Sequence, residues 1–571
     1  MIRVADYIAD FVYKQGVKDI FMLSGGGSIY LDDGVACNKN LRSICVRNEA
    51  TAPMMAEAYA RLTGNLGIVY VTTGPGGTNA ISGLVEAWVD SAPILIISGQ
   101  VQRNQTSYNA FAKNINLRTF GTQELNIIKI VESITKYSVM INKPESIRYH
   151  LEKAVYFAKN GRPGPVWIDV PLDVQSAIID ETKLEDYEYP RIQKIFQNDI
   201  VIDKNVEKFI ELLKQSKTPL IVFGQGIRIG KCIENFKKLL ELTNIPCISS
   251  RLGQDILPFS YKNNLGHGGT QGSRYSGYIM NQSDLIISLG SRLAVPFLGT
   301  NLDAFSKDAK VIMVDIDNNE LNKPTIKIDL KINSDVNYFI DKLLSKIYNG
   351  KVIPDYTKWM NECNYYKEKY PIIGLIHKTN PIDLYYFISR LDVLSKENNI
   401  FVSDAGSSYY ITGQMLRFEK GQREITSGAF ASMGVAISLA IGCNIADSNS
   451  QILAVSGDGS LELNIQELKT MSYYNLNIKL FIINNGGYAS IRNTQDSLCE
   501  GRYIGSDQAT HNALLNLKNV ATAFDLPYYI IEKYEDIDNK ILEVMNKEGP
   551  IFIEVVCDNK QQIIKSSKKL L

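Results

Sequence analysis

The sequence predicts an α/β protein made of three doubly wound parallel-sheet domains, and three observations support this. Apolar strand-like runs alternate with helix-length amphipathic stretches over all 571 residues, the pattern of parallel sheets covered by helices. Several of those runs end in glycine-rich turns that open a helix. The first and last parts of the chain also repeat one order of strand, glycine turn and helix, at 67–87 and 452–473. The length suits about three or four domains. We read a first domain at 1–180, a central one at 200–345 and a third at 375–571.

The first domain opens with an amphipathic helix at 4–13 and a strand at 19–23 that ends in Ser24-Gly25-Gly26-Gly27-Ser28. Glu49 follows at the start of a helix at 50–61. There it either complements the helix dipole or enters a cleft as a functional carboxylate. The strand 67–71 ends in Thr72-Thr73-Gly74-Pro75-Gly76-Gly77-Thr78-Asn79. This turn lacks the spacing of a dinucleotide fingerprint, and no clear acidic residue ends the next strand at 93–98. Gly161-Arg162-Pro163-Gly164-Pro165 then introduces a strand at 166–170, and a charged stretch at 180–199 reads as a linker. The central domain carries strands at 219–223, 285–288 and 310–314. The Tyr-, Lys- and Glu-rich segment 348–370 reads as a partly helical surface connection.

The third domain holds the strongest signal. A strand at 452–456 ends in Gly457-Asp458-Gly459-Ser460, a helix is expected at 463–473, and a strand at 478–483 ends in Asn484-Asn485. In a βαβ unit both motifs lie at the carboxyl ends of neighbouring parallel strands, so Asp458 and Asn485 enter one crevice. The N–H groups of Gly459 and Ser460 face phosphate oxygens at a helix start. One carboxylate, one amide oxygen, the Gly487 carbonyl and diphosphate oxygens form a ligand set for Mg²⁺.

Composition narrows the classes. Lys+Arg and Asp+Glu both number 61, which gives no electrostatic case for nucleic acid or an acidic membrane. The lysine-rich end, 560–569, reads as a solvated tail. Eight cysteines are scattered without a CxxC pair, so neither a disulfide framework nor a zinc site is indicated. No apolar run reaches the roughly 18 residues of a membrane span, and the N-terminus shows no signal peptide. A cytoplasmic enzyme is expected.

Taken in order, Gly25-Gly26-Gly27, Glu49, 73–79 and 161–166 resemble the first domain of the acetolactate (acetohydroxyacid) synthase family. The segment Thr426-Ser427-Gly428-Ala429-Phe430-Ala431-Ser432-Met433-Gly434, with 457–460 and Asn484-Asn485, is similar to its cofactor domain. The resemblance implies pyrimidine-binding, central and diphosphate-binding domains, thiamine diphosphate with Mg²⁺, and a homodimer or homotetramer with active sites between subunits. By the same resemblance, Glu49 bonds the pyrimidine N1′ and Met433 lies beneath the bent cofactor. Backbone groups of Ala431 and Met433 meet the pyrimidine edge. Gly26, Pro75 and Asn79 contact the cofactor, and Gly406, Ser407 and Ser408 help hold the diphosphate beside Gly457, Gly459 and Ser460. Asp458, Asn485 and Gly487 take the metal, and Gln123 orients the acceptor or the intermediate hydroxyl.

The reaction implied is decarboxylation of a 2-oxo acid, with pyruvate as donor, and ligation of the two-carbon unit to a second carbonyl, either pyruvate or a keto-sugar. Only four histidines are present, at 150, 267, 377 and 511. No adjacent pair serves proton traffic, which favours ligation over simple decarboxylation. The alternatives are a thiamine-dependent C–C hydrolase or lyase and a non-catalytic cofactor-binding subunit.

Leu172 stands where the family has lysine, and Phe120-Gly121-Thr122 replaces its Asp-Ala-Phe. Gly290-Ser291-Arg292-Leu293-Ala294-Val295-Pro296 departs from its flavin motif. Arg162, His267, Gly268, Arg292 and Asp315 nonetheless occupy flavin-contact positions. Two readings therefore stand open, bound FAD or a vestigial, structural central domain. Residues 421–423 and 487–495 look like a divergent branch acting on keto-sugars in surface-polysaccharide pathways. There Arg492 and Gln495 either line an acceptor pocket or lie on a helix surface.

Overall fold

The computed structural model describes residues 1–108, 113–190, 199–302, 305, 308–350, 352–372, 376–419 and 421–566. Its first sheet contains β2 (Asp19–Met22), β3 (Arg42–Cys45), β4 (Gly67–Val71), β5 (Ile94–Gln100), β6 (Tyr137–Met140) and β7 (Val166–Pro171), in the order β3-β2-β4-β5-β7-β6. A short antiparallel pair, β1 (Ile2–Arg3) with β8 (Ile178–Ile179), ties the start of this domain to its end. The third sheet contains β15 (Ile400–Ser403), β16 (Arg423–Thr426), β17 (Ile452–Gly457), β18 (Ile478–Asn484), β19 (Tyr528–Ile531) and β20 (Ile551–Val556), in the order β16-β15-β17-β18-β20-β19. Renumbered from one, both sheets run 2-1-3-4-6-5, so the two similar halves share a topology.

The central sheet differs. It contains β9 (Pro219–Phe223), β10 (Cys247–Ser249), β11 (Asn264–His267), β12 (Leu285–Leu289), β13 (Lys310–Asp315) and β14 (Leu330–Asn333), ordered β11-β10-β9-β12-β13-β14. This is the 3-2-1-4-5-6 order of dinucleotide-binding sheets. Every strand pair in the three large sheets is parallel. Their central strands are buried on both faces and are accordingly continuous apolar runs.

One core serves the first and third domains together. The helix Val435–Ala446 is buried on nearly every side and packs against Thr51–Thr63. Alanines and glycine on the facing sides permit the close approach. A side chain at Gly442 would lie 2.2 Å from the Met55 carbonyl oxygen. The central domain keeps separate cores on its two faces.

Two expectations change. The helix expected at 463–473 is broken: a short helix Asp458–Leu461 and a 3-10 turn Glu462–Asn464 precede Glu467–Tyr473. The segment 348–370 is not merely a surface connection. Its helix Thr357–Lys369 buries Trp359, Met360 and Cys363 against the central sheet. The linker 180–199 and the lysine-rich tail lie partly outside the described residues, at 191–198 and 567–571. No helix among the described residues is long and apolar enough to cross a membrane.

Candidate active site

In both outer domains the glycine-rich turns sit where the strand order reverses, at the carboxyl ends of the strands, the usual ligand crevice of open α/β sheets. In the third domain, β17 and β18 pair in register with Gly457 opposite Ile483. Asp458 and Asn485 therefore leave adjacent strand ends, and both are 7% exposed. The Asp458 carboxylate accepts the N–H of Gly459 at 2.8 Å and that of Gly487 at 2.9 Å. Burial pushes its pKa up, while the N–H groups of Gly487, Gly459, Gly486 and Asn485 hold it down. Among the described residues no group of three His, Cys, Asp or Glu converges on a metal position.

The neighbouring strand β15 ends at Asp404-Ala405-Gly406, where Gly406 has φ +65° and precedes the helix Ser407–Met415. The Ser407 hydroxyl is buried with no partner. An orphaned hydroxyl and two helix N-termini at one sheet end fit a diphosphate. Asp404 braces this corner. Its buried carboxylate accepts N–H groups of Ala405, Gly434 and Ala436 and the Ser456 hydroxyl.

The loop carrying Ala431 and Met433 is braced by the first domain of the same chain. Glu86 accepts the Ser427 hydroxyl at 2.6 Å and the Ser432 N–H at 2.9 Å. Asp90 accepts the Gly428 N–H at 2.7 Å. Ala431 is held at φ +55°, a left-handed conformation that is strained for alanine and persists where its surroundings fix it.

Glu49 is 8% exposed beside the helix Thr51–Thr63, and Asn79 donates to its Oε2 at 3.0 Å. Among the described residues no hydrogen bond joins Glu49 to Met433, Asp458 or Asn485. Pro75 and Asn79 are exposed in the short helix Pro75–Asn79, and Gly26 is exposed on the next turn. Gly74, at φ +58°, lies so close to Gln123 that a side chain would meet its carbonyl oxygen at 2.1 Å. Gln123 is exposed and also left-handed, at φ +60°. Glu124 fixes its turn by accepting the N–H and hydroxyl of Ser107 and the N–H of Phe120.

A cavity of about 620 Å³ lies between the domains. It meets the central sheet at the carboxyl ends of β9, β12 and β13, and the third domain near Gly406 and Ala431. Arg162, His267, Arg292 and Asp315 line it. Gly268 is not among its lining residues; a side chain there would strike Ile248 and Phe297. Arg162 is paired with Asp317 and Glu320 at 3.1 Å each. Burial pushes the Asp315 carboxyl up to about 6, and burial with nearby Arg251 lowers His267 to about 3. The buried Nδ1 of His267 and Oε1 of Gln271 lack partners.

The chain matches the thiamine pyrophosphate enzyme N-terminal TPP-binding domain over residues 2–124, the central domain over 206–343 and the C-terminal TPP-binding domain over 404–555. The acetolactate synthase large subunit of Cyanidium caldarium is 30% identical, over 96% of this chain and 92% of its own. That of Lactococcus lactis subsp. lactis (strain IL1403) is 30% identical, over 96% and 91%. The chloroplastic acetolactate synthase 2 of Nicotiana tabacum is 29% identical, over 98% and 83%. The chain belongs to the acetolactate synthase family of thiamine diphosphate enzymes. As a member of that family it is a thiamine diphosphate-dependent carboligase, which decarboxylates a 2-oxo acid and joins the remaining fragment to a second carbonyl.

For Arg492 and Gln495 the sequence leaves open an acceptor pocket or a helix surface. The structure puts Arg492 in neither place: it is 6% exposed and bonds only main-chain carbonyls. Gln495 bonds the Ser506 hydroxyl and the Ile504 carbonyl. Glu467, Glu86, Asp90 and Asp404 were missed altogether. Most partners of each carboxylate lie elsewhere in the chain, and no spacing rule detects such a residue.

Proposed function

We propose that this enzyme takes pyruvate as donor and acts with Mg²⁺ in a homodimer or homotetramer whose active sites lie between subunits. The observation that best supports the cofactor site is the meeting of Asp458, the 485–487 loop and the orphaned Ser407 hydroxyl at adjacent strand ends. Thiamine diphosphate supplies an electron sink for the decarboxylation. Asp458, Asn485 and the Gly487 carbonyl hold the cation, which takes one protein carboxylate and otherwise amide, carbonyl and diphosphate oxygens, as Mg²⁺ prefers. Gly406, Ser407, Ser408, Gly457, Gly459 and Ser460 cradle the diphosphate, and Gly26, Pro75 and Asn79 approach from the first domain.

Glu49, oriented by Asn79, holds a proton at the pyrimidine N1′. Its buried setting keeps that hydrogen bond from exchanging with water. Ala431 and Met433 meet the pyrimidine, and Met433 sets its orientation by bulk. Gln123, fixed at a strained turn, orients the acceptor. By the resemblance to the family, a second copy supplies the facing half of each site.

The central cavity supports bound FAD over a vestigial domain. Its sheet has the dinucleotide strand order, Asp315 lines it at the end of β13, and the lining residues His267 and Gln271 each carry a buried polar atom without a partner. Its ligand-facing residues are Arg162, His267, Arg292 and Asp315, without Gly268. All eight cysteines are free, which favours a reducing compartment such as the cytoplasm.

Proton NMR of the protein with thiamine diphosphate, Mg²⁺ and pyruvate tests the reading. Acetolactate identifies pyruvate as both donor and acceptor. Pyruvate loss without a ligation product points to a keto-sugar as acceptor. No pyruvate loss with the cofactor bound rejects pyruvate as donor. Glu49→Gln should abolish turnover while leaving cofactor binding in place; a fully active variant would refute the role given to Glu49.

A further inference from the structure

Arg492 is a buried cation with no carboxylate partner among the described residues. It lies in the helix Ala489–Cys499. Its guanidinium spends four hydrogen bonds on four main-chain carbonyls: Asn485 at 2.7 Å, Gly486 at 2.9 Å, Ser506 at 2.7 Å and Asn559 at 3.1 Å. A buried charge is tolerated when its donors are filled, and the planar fork of arginine suits several fixed acceptors at once.

Two of those carbonyls belong to the loop between Asn484 and Tyr488. On its other side the loop turns N–H groups toward Asp458, with Gly487 at 2.9 Å. Successive peptides are thus held between an anion and a cation, N–H groups on one and carbonyls on the other. Such a reversal needs left-handed backbone, supplied by Gly486 at φ +74° and Gly487 at φ +102°. Because Arg492 takes up the carbonyls of Asn485 and Gly486, the loop keeps the Asn485 side-chain oxygen and the Gly487 carbonyl for other use. The latter accepts the Ala489 N–H at 3.0 Å and retains a second lone pair.

We propose that Arg492 is the positioning residue of the divalent-cation site. It fixes which oxygens of the 485–487 loop face the cation and ties that loop to the segments at Ser506 and Asn559. The proposal rests on the cation reading given above. Lysine in its place keeps the charge but has three donors and no planar fork, so it cannot span four carbonyls in this geometry.

The test measures Mn²⁺ binding to the full-length protein in the presence of thiamine diphosphate, by the loss of free-ion paramagnetic resonance signal. Wild type is compared with Arg492→Lys, Arg492→Met and Gln495→Ala. Outer partners of metal ligands typically set about tenfold to a hundredfold in affinity, and that weakening is expected for both Arg492 variants. Gln495→Ala loosens 504–506 without touching 485–486 and should bind within threefold of wild type. Arg492→Lys binding like wild type overturns the proposal, as does Gln495→Ala weakening binding equally. Wild type failing to bind Mn²⁺ overturns the cation reading and the proposal with it. Hydrogen exchange on wild type needs no variant: Mn²⁺ with cofactor should slow 485–492, 504–507 and 557–560 together. Protection confined to 457–460 and 485–487 would also overturn the proposal.

Discussion

Glu467 offers the sharpest test of how the Glu49 segment is held. It is fully buried in the third domain, and its Oε1 accepts the N–H of Arg47 at 2.9 Å, the N–H of Asn48 at 3.1 Å and the Thr51 hydroxyl at 2.9 Å. Its Oε2 accepts the Thr470 hydroxyl at 2.7 Å. It thus caps the start of the helix Thr51–Thr63 from across the domain boundary, on both sides of Glu49. Glu467→Ala strands the part-buried N–H groups of Arg47 and Asn48, each worth up to about 1–3 kcal/mol without a partner, while the Thr51 hydroxyl keeps the Asn48 carbonyl at 2.7 Å. Their partial exposure puts the loss at about 2–3 kcal/mol. Glu467→Gln keeps an acceptor toward 47–51 and an amide toward Thr470, and should lose less than about 1.5 kcal/mol. The assays are urea unfolding and steady-state kinetics. A displacement of Glu49 by about 1 Å should lower kcat by about a hundredfold, with KM for the 2-oxo acid within threefold. If Glu467→Ala unfolds within 1 kcal/mol of wild type and keeps kcat within threefold, the segment is held by local bonds such as Asn48 to the Ala50 N–H, and the reasoning is refuted.

Asp169 should impose a pH dependence. Buried between Ser98 and Gln100, its carboxyl is pushed up to about 7 by desolvation. A raised carboxyl pKa means that the folded chain holds the proton longer, so this group's contribution is fullest below its ordinary value and declines as pH rises toward 7. Asp169→Asn, with its amide toward Ser98 and its oxygen toward Gln100, removes that decline. The variant should therefore gain on wild type between about pH 4 and pH 7 in denaturant titrations; a constant difference would contradict the assignment. Gly459→Ala places a methyl group 2.2 Å from the Tyr488 ring and should displace the turn after Asp458, weakening cofactor-dependent Mn²⁺ binding by about tenfold or more; unchanged calorimetric affinity would show that the ring yields freely. Protein purified without added flavin should carry FAD visible by absorbance, and Asp315→Ala should reduce its content severalfold. Absence of flavin from wild type, even after incubation with FAD, would return the central domain to a structural role.

The sequence by itself determined the fold class and the cofactor family, because the residues that carry them are local. Asp458 with its glycine turn, Asn485 at the next strand end, and the strands at 67–71, 219–223 and 452–456 are each set by hydrogen bonding and apolar periodicity within a few residues. Order along the chain then distinguished them from ordinary turns. Helix interruptions were less legible. The break at 462–466 has no proline or glycine to mark it, and the burial of Trp359, Met360 and Cys363 depends on which face the central sheet presents. Tertiary structure alone decided what holds the site still. Glu467 stands in Gln466-Glu467-Leu468 like any polar helix residue, yet its partners lie about 420 positions away. Arg492 reads as a helix surface residue until 485, 506 and 559 fold around it. The physical reason is common to both. A buried charge is recognised by the groups that satisfy it, and when those groups come from distant segments only packing brings them together.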